Sequence, residues 1–211
     1  MGYYPVFLEV AGRRCVVIGG GRVAEHKVEA LIAAEASVTV ISPALTPRLG
    51  VLAGEGRIRH VAREYRPGDL SGSELAFAAS DGGEVNATVA REGRERGVWV
   101  NAADDPAHCD FILPAVVRRG ALVVAVATGG ASPALSRAVR DELEAYFTED
   151  YAVLAEVAAE VRQELKERGR LPDGAAWRRA LDGDLRSLIA EGRRDEAKAR
   201  LLSRLRAGTC G

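Results

Sequence analysis

A chain of 211 residues that is 47% hydrophobic and 28% charged has the make-up of one globular domain with a small appendage, which excludes disorder and fibrous repeats. Its 29 Lys and Arg against 30 Asp and Glu leave a net charge of −1 and give no reason to expect nucleic acid as a partner. Three cysteines at unpaired spacing argue for a reducing compartment, no apolar run reaches the roughly 18 residues of a membrane span, and the first residues carry no basic leader, so a cytoplasmic protein without a membrane partner is expected.

In chain order, Cys15-Val16-Val17-Ile18 is a short apolar run ending in Gly19-Gly20-Gly21, as a buried strand entering a tight turn reads. Val23, Lys27, Leu31 and Ala34 follow at helical spacing, and Val38-Thr39-Val40-Ile41 is a second β-branched run stopped by Ser42-Pro43. Strand, glycine turn, helix and strand make a βαβ unit. Further strands are expected over 57–64, 75–79 and 98–100, with a helix over 85–96. This alternation predicts a mostly parallel sheet covered on both faces and ending near Asp104-Asp105-Pro106. From Phe111 the texture changes: 111–117 and 122–127 read as a hairpin around Arg118-Arg119-Gly120-Ala121. Ser132-Pro133 opens a helix through about Phe147. Beyond Glu149 only helices are expected, over 151–168, 174–190 and 195–206.

Gly19-x-Gly21-x-x-Ala24 is the strongest local signal for a ligand. The first glycine permits the turn, the second lets backbone approach a pyrophosphate, and the small Ala24 allows helix and strand to pack closely. A tight turn with no ligand is the plain alternative. The acidic residue that usually grips the adenosine ribose is missing after the second strand, where Ser42-Pro43-Ala44 stands instead. A Ser hydroxyl or backbone groups are left to bind the ribose, and with no basic residue there NAD is favoured over NADP. Asn101-Ala102-Ala103-Asp104-Asp105-Pro106 follows the strand ending at Val100, where ligands lie in open α/β sheets. A loop aspartate capping backbone is an even alternative there. His108-Cys109-Asp110 is no metal cluster, because consecutive side chains diverge and no second His or Cys lies at ligand spacing.

Four stretches together resemble the precorrin-2 dehydrogenase/sirohydrochlorin ferrochelatase family, which includes the N-terminal module of siroheme synthases. They are Pro5-Val6-Phe7-Leu8; Val17 through Lys27; Val100 through Pro106 with Phe111-Ile112-Leu113-Pro114; and Thr128-Gly129-Gly130-Ala131-Ser132-Pro133 with Arg137 and Arg140. The resemblance implies an α/β chain with a Rossmann NAD-binding domain over 1–112, a central α+β dimerisation region over 113–148 and a helical domain over 149–211. It implies NAD-dependent oxidation of precorrin-2 to sirohydrochlorin in siroheme biosynthesis by a homodimer, with Fe²⁺ insertion into sirohydrochlorin in some members.

The family's essential aspartate falls on Asp104. Its NAD contacts fall on Gly19, Gly21, Arg22, Val23 and Ala24, with Ser42, Pro43, Ala44 and Asn101 beside them. Thr128, Gly129, Ser132 and Arg137 are assigned to the tetrapyrrole substrate, whose carboxylates Arg118, Arg119 and Arg140 could also pair with, though each arginine could equally serve surface or dimer contacts. The alternatives are a NAD-sensing regulatory module, which would not require Asp104, and a dedicated ferrochelatase.

Overall fold

A computed structural model describes residues 2–103 and 105–207. The chain forms two compact units, Met1–Leu113 and Pro114–Gly211.

The first unit is a five-stranded parallel sheet in the order β3-β2-β1-β4-β5. Strands β1 (Arg14–Ile18), β2 (Ser37–Ile41) and β4 (Leu75–Ala78) carry near-continuous apolar runs because helices bury both faces of a parallel sheet. On one face α1 (Arg22–Ala33) and α2 (Pro47–Gly54) pack Val28, Leu31, Leu49 and Leu52 against Cys15, Val17, Val38, Val40 and Phe77. On the other, α3 (Gly83–Arg96) lays Val89 and Ala90 on Val16, Ile18, Ala76, Val98 and Val100. Helix α2 was not anticipated from the sequence. Its start is nonetheless well marked, since Thr46 accepts from Leu49 N–H at 3.2 Å and Pro47 occupies the first helical position.

Three expected strands are corrected. The run over 57–64 pairs only as β3 (Arg59–Val61), an edge strand with β2 on one side alone. The last strand, β5 (Trp99–Ala102), runs past Val100 to Ala102 and pairs throughout with β4. The hairpin strand expected from Phe111 begins only at Ala115. Pro114 has no N–H for a ladder, and Phe111 turns back edge-to-face on Phe77, with ring centroids 5.6 Å apart, joining the core of the first unit.

In the second unit β6 (Ala115–Arg119) and β7 (Leu122–Val126) form an antiparallel hairpin beside α4 (Pro133–Tyr146). Helices α5 (Asp150–Glu167), α6 (Gly174–Ala180), α7 (Gly183–Ala190) and α8 (Arg194–Ala207) form a separate core. Val157, Val161 and Leu165 from α5 meet Ala197, Leu201 and Leu205 from α8 at i, i+4, i+8 spacing. The single helix expected over 174–190 is broken at Leu181-Asp182. Asp182 takes the extended backbone of a cap, and Arg204 ties the break by donating to Asp182 Oδ1 at 2.6 Å and to Ala180 O at 3.3 Å.

Candidate functional site

The strand order reverses direction between β1 and β4, and ligands of open α/β sheets bind at the carboxyl ends of strands at such a point. A cleft of about 370 Å³ opens there, lined by Val23, Ala79, Ser80, Asp81, Gly83, Asn86, Ala103 and Asp105.

The glycine turn leads into α1, whose Val23 lines the cleft, and its three glycines are bare for different reasons. A Cβ on Gly19, whose φ is +119°, would lie 2.2 Å from Ala79 O, and one on Gly20 would lie 1.9 Å from Ala44 O. Both positions are demanded by packing inside the chain. A Cβ on Gly21 would meet nothing within 4 Å. Gly21 is the N-cap of α1, with ordinary extended backbone and no side chain capping the helix. The first N–H groups of α1 and the positive end of its dipole thus adjoin open space, an arrangement suited to an anion.

Among the expected cofactor residues, Arg22 and Val23 begin α1 and are exposed, with Val23 on the cleft wall, whereas Ala24 is fully buried and lets α1 approach the sheet. Ser42 is buried and its hydroxyl donates to Ala44 O at 2.7 Å, while Ser42 O contacts His60 Nε2 at 2.9 Å. Pro43 and Ala44 remain exposed. Thr46 fastens this loop over the glycine turn. Its N–H donates to Gly20 O at 2.9 Å and its hydroxyl donates to the Glu25 carboxylate. Asn101 is buried, and its amide donates to Phe111 O at 3.0 Å, beneath the loop that follows β5.

Asp104 lies outside the described residues. Its neighbour Asp105 is half-buried. It lines the cleft, and its Oδ2 sits 2.6 Å from His108 Nδ1. Among the described residues no group of three or more His, Cys, Asp or Glu could hold a metal ion.

Sequence reasoning missed the opposite wall. Ser80-Asp81-Gly82-Gly83 leads from β4 into α3, and the buried Asn86 side chain shapes the turn. Its Oδ1 accepts from Ser80 Oγ at 2.9 Å, and its Nδ2 donates to Ser80 O at 3.1 Å. A run of turn residues after an apolar strand was the readable signal.

The expected substrate residues lie in the second unit. Thr128 Oγ1 accepts from Ser132 N–H at 3.0 Å and contacts Ser136 Oγ at 3.2 Å, while Ser132 Oγ caps α4 by accepting from Leu135 N–H at 3.1 Å. Gly129 has φ +63°, which the turn before α4 requires, and Arg137 is exposed on α4. Arg119 is committed to the end of α4, donating to Phe147 O at 2.7 Å and Glu144 O at 3.1 Å. Arg118 is exposed, and Arg140 pairs with Asp141 at 2.6 Å. Arg140 Nε is the one buried side-chain polar atom without a hydrogen-bond partner among the described residues.

With this geometry in hand, the chain was compared with known proteins. Residues 6–115 match the model of a family described as "Putative NAD(P)-binding". The chain belongs to that NAD(P)-binding family. Residues 119–146 match a second model, described as sirohaem biosynthesis protein central. Two curated relatives are siroheme synthases. That of Chromobacterium violaceum is 39% identical over 212 residues, covering 99% of this chain and 45% of the relative. That of Methylobacillus flagellatus is 45% identical over 164 residues, covering 78% of this chain and 35% of the relative. The chain thus spans less than half the length of these relatives. Among solved structures, SirC, a precorrin-2 dehydrogenase, shares the fold with a TM-score of 0.73 at 23% identity, covering 97% of this chain and all of that one.

Proposed function

We propose that this chain binds NAD in the cleft between β1 and β4 and oxidises precorrin-2 to sirohydrochlorin, a step toward siroheme. The observation that carries the proposal is Gly21, bare where the fold itself makes no demand, at an uncapped helix N-terminus in a chain of the NAD(P)-binding family. The similarity to siroheme synthases and to a precorrin-2 dehydrogenase supports the substrate.

The residues fit a dinucleotide. Gly21, Arg22 and Val23 would take the pyrophosphate on their N–H groups, with Gly19 and Ala24 holding the turn close to the sheet. Pro43 and Ala44 would carry the adenosine side. Ser42-Pro43-Ala44 after β2 holds no carboxylate or arginine, and the Ser42 hydroxyl donates inward to Ala44 O, so backbone groups are left for the ribose. This favours NAD over NADP. The bound nicotinamide supplies a hydride acceptor. The protein must then orient the substrate and remove a proton, and Asp104, which follows β5 in sequence, is assigned that proton. Asn101 serves by fixing the loop after β5. The second unit would hold the tetrapyrrole carboxylates through exposed Arg137, with Thr128, Gly129 and Ser132 shaping the turn before its helix. Its hairpin and α4 would form a homodimer.

Calorimetry with each nucleotide and turnover of Asp104→Asn test the assignment. NAD should bind at least about tenfold tighter than NADP. Asp104→Asn should lose roughly 10²- to 10⁴-fold in kcat with NAD affinity little changed, and Asp105→Asn should lose much less. Tighter NADP binding would refute the reading of the loop after β2. Near wild-type turnover by Asp104→Asn, or greater damage from Asp105→Asn, would refute the base.

A further inference from the structure

Strand β5 is the edge of its sheet, yet its free side is closed by the loop that follows it. Asp110 covers Val100, its N–H donating to Val100 O at 2.8 Å and its Oδ2 accepting from Val100 N–H at 2.8 Å. Cys109 covers Ala102. Its Sγ accepts from Ala102 N–H at 3.2 Å and lies 3.2 Å from Ala102 O and 3.3 Å from Asp105 O, either of which its S–H can serve. Asn101 holds Phe111 O, and Arg94 of α3 donates to Ala107 O at 3.2 Å. One sulfur therefore accepts from Ala102 N–H and lies within reach of Asp105 O, and Ala103 and Asp105 are cleft-lining residues. Burial pushes the Cys109 thiol up from its ordinary value and outweighs the lowering by the Ala102 N–H, so the sulfur keeps the proton it donates.

We infer that Cys109 is a positioning residue for the dehydrogenation: its backbone contacts hold Ala102 and Asp105, the described residues between which Asp104 falls in sequence. The inference rests on the function proposed above. A proton acceptor is effective only in register with its substrate, and a displacement of about 1 Å can cost up to 10²-fold in rate. A thiol suits the position because it donates and accepts at once and its sulfur tolerates the longer separations found here.

The test compares Cys109→Ala and Cys109→Ser with the wild type in kcat, KM for precorrin-2, NAD affinity and amide exchange at Ala102. Cys109→Ala should lose about tenfold in kcat, with KM and NAD affinity held within about twofold and faster exchange at Ala102. Cys109→Ser keeps a donor and an acceptor and should recover most of the turnover. The inference is overturned if Cys109→Ala turns over like the wild type, if NAD affinity falls in step with kcat, or if serine rescues nothing. A wild-type protein that binds NAD but leaves precorrin-2 unoxidised overturns the function itself. An active wild type with an unaffected Cys109→Ala overturns this inference alone.

Discussion

Gly19, Gly20 and Gly21 stand side by side, yet a methyl group at each meets a different fate. At Gly20 it would sit 1.9 Å from Ala44 O, and at Gly19 it would sit 2.2 Å from Ala79 O with φ at +119°. Either alanine forces backbone apart, so both variants should be destabilised by more than the roughly 1–3 kcal/mol typical of overpacking, read as a lowered Tm. At Gly21 the space is open. Gly21→Asp should keep the wild-type Tm to within a few degrees, about 1 kcal/mol, while its carboxylate at the anion site abolishes NAD binding. A folded Gly21→Asp protein with unchanged NAD affinity in calorimetry would exclude the cleft as the cofactor site. The motif Gly19-x-Gly21-x-x-Ala24 was legible because Gly19 and Ala24 answer steric demands of the turn and the sheet, while Gly21 leaves the start of α1 open. Asn86 and Ser80 were not, since their pairing depends on a turn whose closure only the folded backbone reveals.

Among the elements, α3 owes its seat on the sheet to more than apolar contact. Glu92 is buried on it and gathers the loop between β3 and β4, accepting from Gly68 N–H at 2.9 Å, Leu70 N–H at 3.3 Å, the Tyr65 hydroxyl and Arg96 at 2.7 Å. Burial pushes its carboxyl up, but the hydrogen bonds from Tyr65, Gly68 and Leu70 and the Arg96 charge outweigh it and hold the group below its ordinary range. A carboxylate depressed in the folded state stabilises fully above its unfolded pKa of about 4.3 and loses that contribution as pH falls through the folded value. Glu92→Gln should therefore cost about 1–3 kcal/mol at neutral pH, with the gap to wild type closing below about pH 4. Denaturant titration across pH would show a constant gap if the carboxylate charge contributes nothing. Strong periodicity made α1, α3, α4 and α5 readable. The break between α6 and α7 was hidden because Ala176, Ala180, Leu185, Leu188 and Ile189 keep facing one core across it. The interruption rests on Asp182 and its long-range partner Arg204.

For the whole molecule, the hairpin of the second unit is informative. Its register places Val117 and Val124 on one face, where Val117 is buried, and Val116, Arg118, Val123 and Ala125 on the other. A two-stranded hairpin is marginal in water, this face carries Val116, Val123 and Ala125 beside Arg118, and Leu135 and Tyr146 on α4 are also exposed. A second copy covering that face would bury it under two-fold symmetry. Light scattering should report a dimer at micromolar concentration, and Val123→Arg should give a folded monomer; a monomeric wild type would contradict this assembly. The end of the parallel sheet could be anticipated because alternating strands and helices cease after Phe111. The role of Phe111 itself could not, since its partner Phe77 lies far away in sequence.

The central claim is that this chain moves a hydride from precorrin-2 to NAD⁺. Its most direct test is anaerobic incubation of the purified protein with precorrin-2 and NAD⁺, following the absorption of sirohydrochlorin and of NADH together. The account predicts that both appear at matched rates, that omitting NAD⁺ stops both, and that Gly21→Asp abolishes them. Sirohydrochlorin that forms without NAD⁺, or wild-type protein that yields neither product, would contradict it.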